Sequence, residues 1–163
     1  LMEEHRVILN NLGELASIIN RMKRINGYEG LSEDLEKLKN ISHHLVEAEK
    51  HHQREEQALF PMLEKHGIVE PPEIMKQEHE LLKSKKKELA HAAHHHQDYN
   101  FMEFKKKVIQ TGEYLVSELQ NHIFKEDNIL YQMALQVITT EEWNEVKQEC
   151  DEIGYCCFTP QAE

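Results

Sequence analysis

Apolar positions recur at steps of three and four along most of the chain, and no segment alternates apolar and polar residues as a half-buried strand would. Ile8, Leu9, Leu12, Leu15, Ile19 and Met22 mark one face of a first helix from Met2 to about Ile25, which Asn26-Gly27 ends, with Gly27 suited to a C-cap. Ser32, followed by Glu33 and Asp34, is the predicted N-cap of a long second helix that runs to about His66 and stops at Gly67. Pro61 is expected to kink or break it near its end. Pro71-Pro72 separates a third helix, about Glu73 to His96, with a stripe of Met75, His79, Leu82, Leu89 and Ala93. A fourth runs from about Phe101 to Val137, and Thr139 or Thr140 caps a short fifth containing Trp143 and Val146. The predicted fold is all-α: an up-down four-helix bundle over residues 1–138, then a short C-terminal helix and Cys-containing tail packed on it over 139–163.

The apolar stripes are interrupted by polar residues in a repeated pattern. Helix two carries His51-x3-Glu55-Glu56-x2-Leu59-Phe60-x-Met62, and helix four carries His122-x3-Glu126-Asp127-x2-Leu130-Tyr131-x-Met133, at a constant offset of 71. Upstream, Glu4-His5 on helix one and Glu78-His79 on helix three repeat at an offset of 74. Residues four apart on a helix project from one face within about a turn, so each His and Glu can reach a common centre. The stripe of helix two reads Ile41, His44, Ala48, His51, Glu55, Leu59, Met62; that of helix four reads Leu115, Leu119, His122, Glu126, Ile129, Met133. Both glutamates therefore point into an apolar core, where an uncompensated carboxylate costs several kcal/mol in practice and a bound cation is the natural compensation.

The 12 histidines among 163 residues exceed what packing or surface roles ordinarily need, which strengthens the metal reading. Imidazole and carboxylate without thiolate suit iron, manganese or zinc, and two carboxylates able to bridge favour a pair of ions. Four histidines and two bridging carboxylates supply about eight bonds against about twelve positions on two six-coordinate ions, leaving room for an oxo or hydroxo bridge or a small ligand.

The formal net charge of -11 argues against nucleic-acid binding, and Lys85-Lys86-Lys87 and Lys105-Lys106-Lys107 read as solvated helix faces. No apolar run approaches the roughly 20 residues that span a bilayer, and the first residues do not resemble a secretory signal, so a soluble, cytoplasmic protein is expected. The helical pattern opens at Leu1, and further native sequence ahead of it is an expectation. Cys150, Cys156 and Cys157 read as reduced thiols in a tail. Glu49-x2-His52 and Glu88-x2-His91 have the spacing of ferritin-like carboxylate sites but fall off the stripes; His43, His52, His66 and the His94-His95-His96 run are read as peripheral.

On Glu4-His5, His51-x3-Glu55-Glu56-x2-Leu59-Phe60-Pro61, Glu78-His79 and His122-x3-Glu126-Asp127, the chain resembles the hemerythrin-like (HHE cation-binding) family over about residues 2–135. The resemblance implies a four-helix bundle around a non-haem di-iron site that binds or senses dioxygen, nitric oxide or a related small molecule. An enzyme that reduces peroxide or nitric oxide or repairs iron centres is the alternative, and a redox-silent zinc or manganese site ranks behind iron. By position, His5, His51, His79 and His122 would be terminal ligands, with Glu55 and Glu126 bridging. Oxygen-carrying members have a fifth histidine on the third helix, one turn from the first; the positions four away from His79 are Met75 and Lys83. His44 is the candidate replacement, with Glu47 its competitor. The run from Trp143 to Pro160 also looks like the tail of a subgroup of this family, and is read as a hydrophobic flap over the bundle.

Overall fold

A computed structural model describes residues 1–156 and Thr159. It contains helices and no strand among these residues. The first rod is α1 (Met2–Met22). The second runs through α2 (Ser32–Glu47), α3 (Glu49–Arg54), a π-helical turn (Glu55–Leu59) and α4 (Phe60–Lys65). The third is α5 (Glu70–His94). The fourth is α6 (Phe101–Lys125), a π-helical turn (Glu126–Leu130) and α7 (Tyr131–Val137), and α8 (Thr140–Ile153) follows. No helix among the described residues is long and apolar enough to cross a membrane.

Packing joins α1 to α6 and α2, and α5 to α6 and α2, which closes the four rods into a bundle. Its core is divided into two apolar clusters. Leu12, Leu15, Leu38, Leu45, Leu89, Phe104, Leu115 and Leu119 belong to the larger. Leu59, Phe60, Leu63, Met75, Leu130, Tyr131 and Ala134 belong to the smaller. On every rod the His or Glu of the repeated motif falls between residues of one cluster and residues of the other, so one polar layer crosses the whole bundle.

Several ends differ from the expectations. Helix one stops at Met22 with Lys23 as its C-cap, short of Gly27. Ser32 is the first residue of α2, with Leu31 at the N-cap and no side-chain cap. Helix three starts at Glu70, and Pro71-Pro72 occupy its first turn, where a missing N–H costs nothing. Gly67 ends the second rod as expected, at φ +84, a left-handed conformation that suits glycine. Thr139, not Thr140, caps α8: its side chain accepts from the Glu142 N–H while Glu142 accepts from the Thr139 N–H. His66 and Lys65 also bind the Glu142 carboxylate, and with the Thr139 backbone these contacts hold it at a pKa of about 2 and tie α8 to the second rod.

The two π-turns shift the stripes by one residue. Ile129, placed inward by simple periodicity, is 51% exposed, while Leu130 and Ala134 are buried; on the second rod Leu63 is buried where Met62 was expected. Pro61 is not the cause, because the π-turn at Glu126–Leu130 is followed by Gln132 at the equivalent place.

The Phe104 side chain is fully buried in the larger cluster, 5.4 Å from the Tyr28 ring. Phe104→Ala is expected to cost about 3–5 kcal/mol, the combined transfer and cavity cost of deleting a buried aromatic, seen in urea unfolding as a lower midpoint at unchanged slope.

Candidate metal centre

The polar layer is built from helix periodicity. His51 and Glu55 lie one turn apart on the second rod, and His122 and Glu126 repeat this on the fourth. His5 on α1 and His79 on α5 reach the same layer, and all six residues are at most 2% exposed. His5, His51, Glu55 and Glu126 each present a donor atom within 4.8 Å of the others. Each carboxylate therefore begins a π-turn, the type of local insertion that re-aims side chains at functional sites.

The imidazoles pair across the bundle. The Nε2 atoms of His5 and His51 stand 2.9 Å apart, and those of His79 and His122 stand 3.0 Å apart. Behind every ring, Nδ1 faces a carboxylate: His51 Nδ1 and Glu4 at 2.8 Å, His122 Nδ1 and Glu78 at 2.8 Å, His5 Nδ1 and Asp127 at 2.8 Å, His79 Nδ1 and Glu56 at 2.9 Å. An Nδ1–H donated to a carboxylate fixes the tautomer that leaves Nε2 as a lone pair. Arg54 in turn holds Glu4 with two donors, at 3.0 and 2.5 Å, and Lys125 binds Glu78.

These outer residues carry the same offsets as the inner ones. Glu4 and Glu78 repeat at 74; Arg54 and Lys125, and Glu56 and Asp127, repeat at 71. Their acids are visible in the repeated motif, which by itself gives them no role. The signal was present in the spacing, since each extra acid or base occurs in both copies.

Between the pairs lie the two carboxylates. His51 Nε2 is 2.6 Å from Glu55 Oε1, His79 Nε2 is 4.0 Å from Glu55 Oε2, and Glu126 lies against His122 and within 3.7 Å of both His5 and His79. Neither oxygen of Glu55 nor Oε1 of Glu126 makes an aligned hydrogen bond. Tyr131 donates to the remaining Glu126 oxygen at 2.8 Å and lies over the His5 ring. Burial and the adjacent charge of Glu126 push the Glu55 carboxyl well above the ordinary range. For Glu126 the burial cost is outweighed by Glu55, His122 and His79, which hold it well below.

A sequence model of the hemerythrin HHE cation-binding domain matches residues 1–134. The chain belongs to that family. No match is found among curated proteins. As a hemerythrin HHE domain it is a cation-binding protein, and its donor set agrees: two facing pairs of imidazole lone pairs with buried carboxylate oxygens between them repel one another unless protons or cations lie among them.

His44 is not among the donors that this HHE domain gathers. Seven residues before His51, it shares the face but lies two turns, about 10 Å, along the axis. Glu47, on the same stretch, is exposed. His52, read as peripheral, is instead buried at 5% exposure, stacked on His79 with centroids 3.9 Å apart. Lys86, read as part of a solvated face, is 1% exposed and donates to Glu49 at 3.2 Å. At the C-terminal side, Cys156 and Thr159 bind the outer face of Glu4, and the Tyr155 ring covers Arg54 at 4.9 Å. Cys157, Phe158 and Pro160 of the expected flap lie outside the described residues.

The outer carboxylates orient the donors of the HHE centre, so Glu78→Gln is expected to weaken metal binding roughly 10- to 100-fold without unfolding the bundle, measured by competition with a chelator. Metal uptake is also expected to release protons. For His79, burial alone would lower the pKa, but hydrogen bonds to Glu126 and Glu56 with the charge of Glu55 push it up to about 10, and Glu55 too is raised. Ions must displace these protons, so apparent affinity falls as pH falls; a pH indicator in weakly buffered solution reads the release.

Proposed function

We propose that the centre holds two iron ions, joined by an oxo or hydroxo bridge as well as by Glu55 and Glu126, and that it binds or senses dioxygen, nitric oxide or a related small molecule. The observation that carries this reading is the pair of facing Nε2–Nε2 contacts at 2.9 and 3.0 Å, each with both Nδ1 atoms committed to carboxylates. Two such pairs would suit two ions. His5 and His51 would hold one, His79 and His122 the other, and Glu55 and Glu126 lie between them with an oxygen facing each side.

An iron pair with unfilled positions supplies reversible one-electron chemistry and affinity for small diatomic molecules. The chain supplies the setting. Four carboxylates hold the imidazoles in one tautomer and one orientation. The apolar clusters that flank the layer, with the Phe60 ring 6.0 Å from that of His79, keep bulk water out and the local dielectric low. Tyr131 keeps one Glu126 oxygen occupied and keeps its own proton, since burial and the charges of Glu126 and Glu55 raise its pKa well above the ordinary range. It is therefore a hydrogen-bond donor at the edge of the centre.

The test is metal content per chain after anaerobic purification, followed by stopped-flow spectra of the reduced protein mixed with nitric oxide or dioxygen. About two iron ions per chain are expected, lost in the Glu55→Ala, Glu126→Ala double variant, with a spectral change on mixing. Zinc or manganese in place of iron, or a ferrous protein indifferent to both gases, would overturn the reading.

A further inference from the structure

Helix α8 lies beyond residue 134, where the match to the HHE domain ends. Trp143, Val146 and Cys150, spaced by three and four, share one face of it, and α8 packs on α3 and on the π-turn at Glu55–Leu59. Between α8, α7, the start of α1 and the second rod stands a cavity of about 480 Å³. That size falls within the roughly 300–1,000 Å³ of small-molecule sites.

Its wall is mainly apolar, with Leu59, Leu135, Trp143 and Val146 among the lining residues. Met2, Leu135 and Tyr155, three large apolar residues that are exposed to solvent, all border it. Exposed apolar groups scattered singly are ordinary, whereas a group gathered around one concavity marks a binding surface. The charged side chains of the lining are two bases, Arg54 and Lys147, and one acid, Glu3, which is paired with Arg6. Arg54 is 2% exposed and holds Glu4 through both terminal nitrogens, but its Nε is a buried donor with no hydrogen-bond partner among the described residues. Lys147 meets Asp151 at the exposed surface, where an ion pair is weak and readily exchanged. A single negative charge is the complement of such a wall.

We infer that this cavity binds a small amphipathic acid, an apolar body that ends in one carboxylate. The body would lie against Leu135, Trp143 and Val146, with the carboxylate toward Arg54 and Lys147. The site is separate from the donors of the metal layer but shares two residues with their supports: Tyr131 lines the cavity and donates to Glu126, and Arg54 lines it and holds Glu4 behind His51. The inference does not depend on which ion the centre holds.

Trp143 is the only tryptophan of the chain, so its emission reports on the cavity directly. The full chain would be titrated with octanoate and, separately, with 1-octanol, which has the same apolar body and no charge. The same titrations would be run on Leu135→Glu, at a position 61% exposed and so outside the core, with circular dichroism as the check on the fold. Octanoate is expected to change the Trp143 emission saturably and to bind more tightly than 1-octanol. Leu135→Glu, which sets a like charge in the wall, is expected to weaken octanoate at least roughly tenfold. No saturable change in wild type, or the same octanoate affinity in Leu135→Glu, would overturn the site. Binding of 1-octanol as tight as that of octanoate would overturn the assignment of an acid as its ligand.

Discussion

Four imidazole–carboxylate bonds decide what the interior of this bundle can do. Each commits an Nδ1–H and so turns an Nε2 lone pair inward, at the same depth as two glutamates with oxygens that lack aligned partners. A core so arranged is electrostatically unfavourable when empty of protons and cations, and favourable once positive charge lies among the donors. The rest of the fold follows from this. The apolar clusters flank the layer, the bases Arg54 and Lys125 neutralise the outer acids, and Tyr131 satisfies one inner oxygen.

The repeat explains how one sequence device serves twice. Within a hairpin, Glu4 of α1 orients His51, and Glu78 of α5 orients His122; between hairpins, Asp127 orients His5 and Glu56 orients His79. Neither hairpin completes its own donors, so the halves are bound together through the centre as well as through apolar packing. The π-turns make this possible. A motif with adjacent acids sends Glu55 or Glu126 inward and Glu56 or Asp127 toward the neighbouring rod, and beyond the inserted residue Leu63 and Ala134, not Met62 and Met133, are the buried positions.

Much of this was legible because helical periodicity and a duplicated motif are strong signals. Residues four apart share a face whatever the tertiary details, so His51 with Glu55 and His122 with Glu126 could be placed together from spacing alone. Reading failed where local geometry departed from a uniform 3.6-residue turn: Ile129 was turned inward by arithmetic, but a π-turn puts it in solvent. It failed also where tertiary packing overrode composition. Lys86 stands in a lysine run yet is buried, its ammonium satisfied by Glu49 from a rod 37 residues away in sequence. His44 shares a face with His51 but stands two turns, about 10 Å, from it along the axis, and sharing a face does not by itself bring two side chains to one layer.

The same comparison bears on where chemistry is located. A strict duplication would give two equivalent ion positions, and the inner shell of histidines and glutamates keeps to it. The surroundings do not. Beside His79 and His122 the core admits Glu49, His52 and Lys86 where the other half has Gln120, Ile123 and Leu12. Beside His51 the outer acid Glu4 is covered by Cys156 and Thr159 of the C-terminal segment, whereas its counterpart Glu78 is met by Lys125 from within the bundle. One half is therefore modified in its core and the other at its rim. Because the field at a buried donor depends on charges within a few ångströms in a medium of low dielectric, these substitutions make the two sides chemically distinct even though the His-x3-Glu motif is repeated.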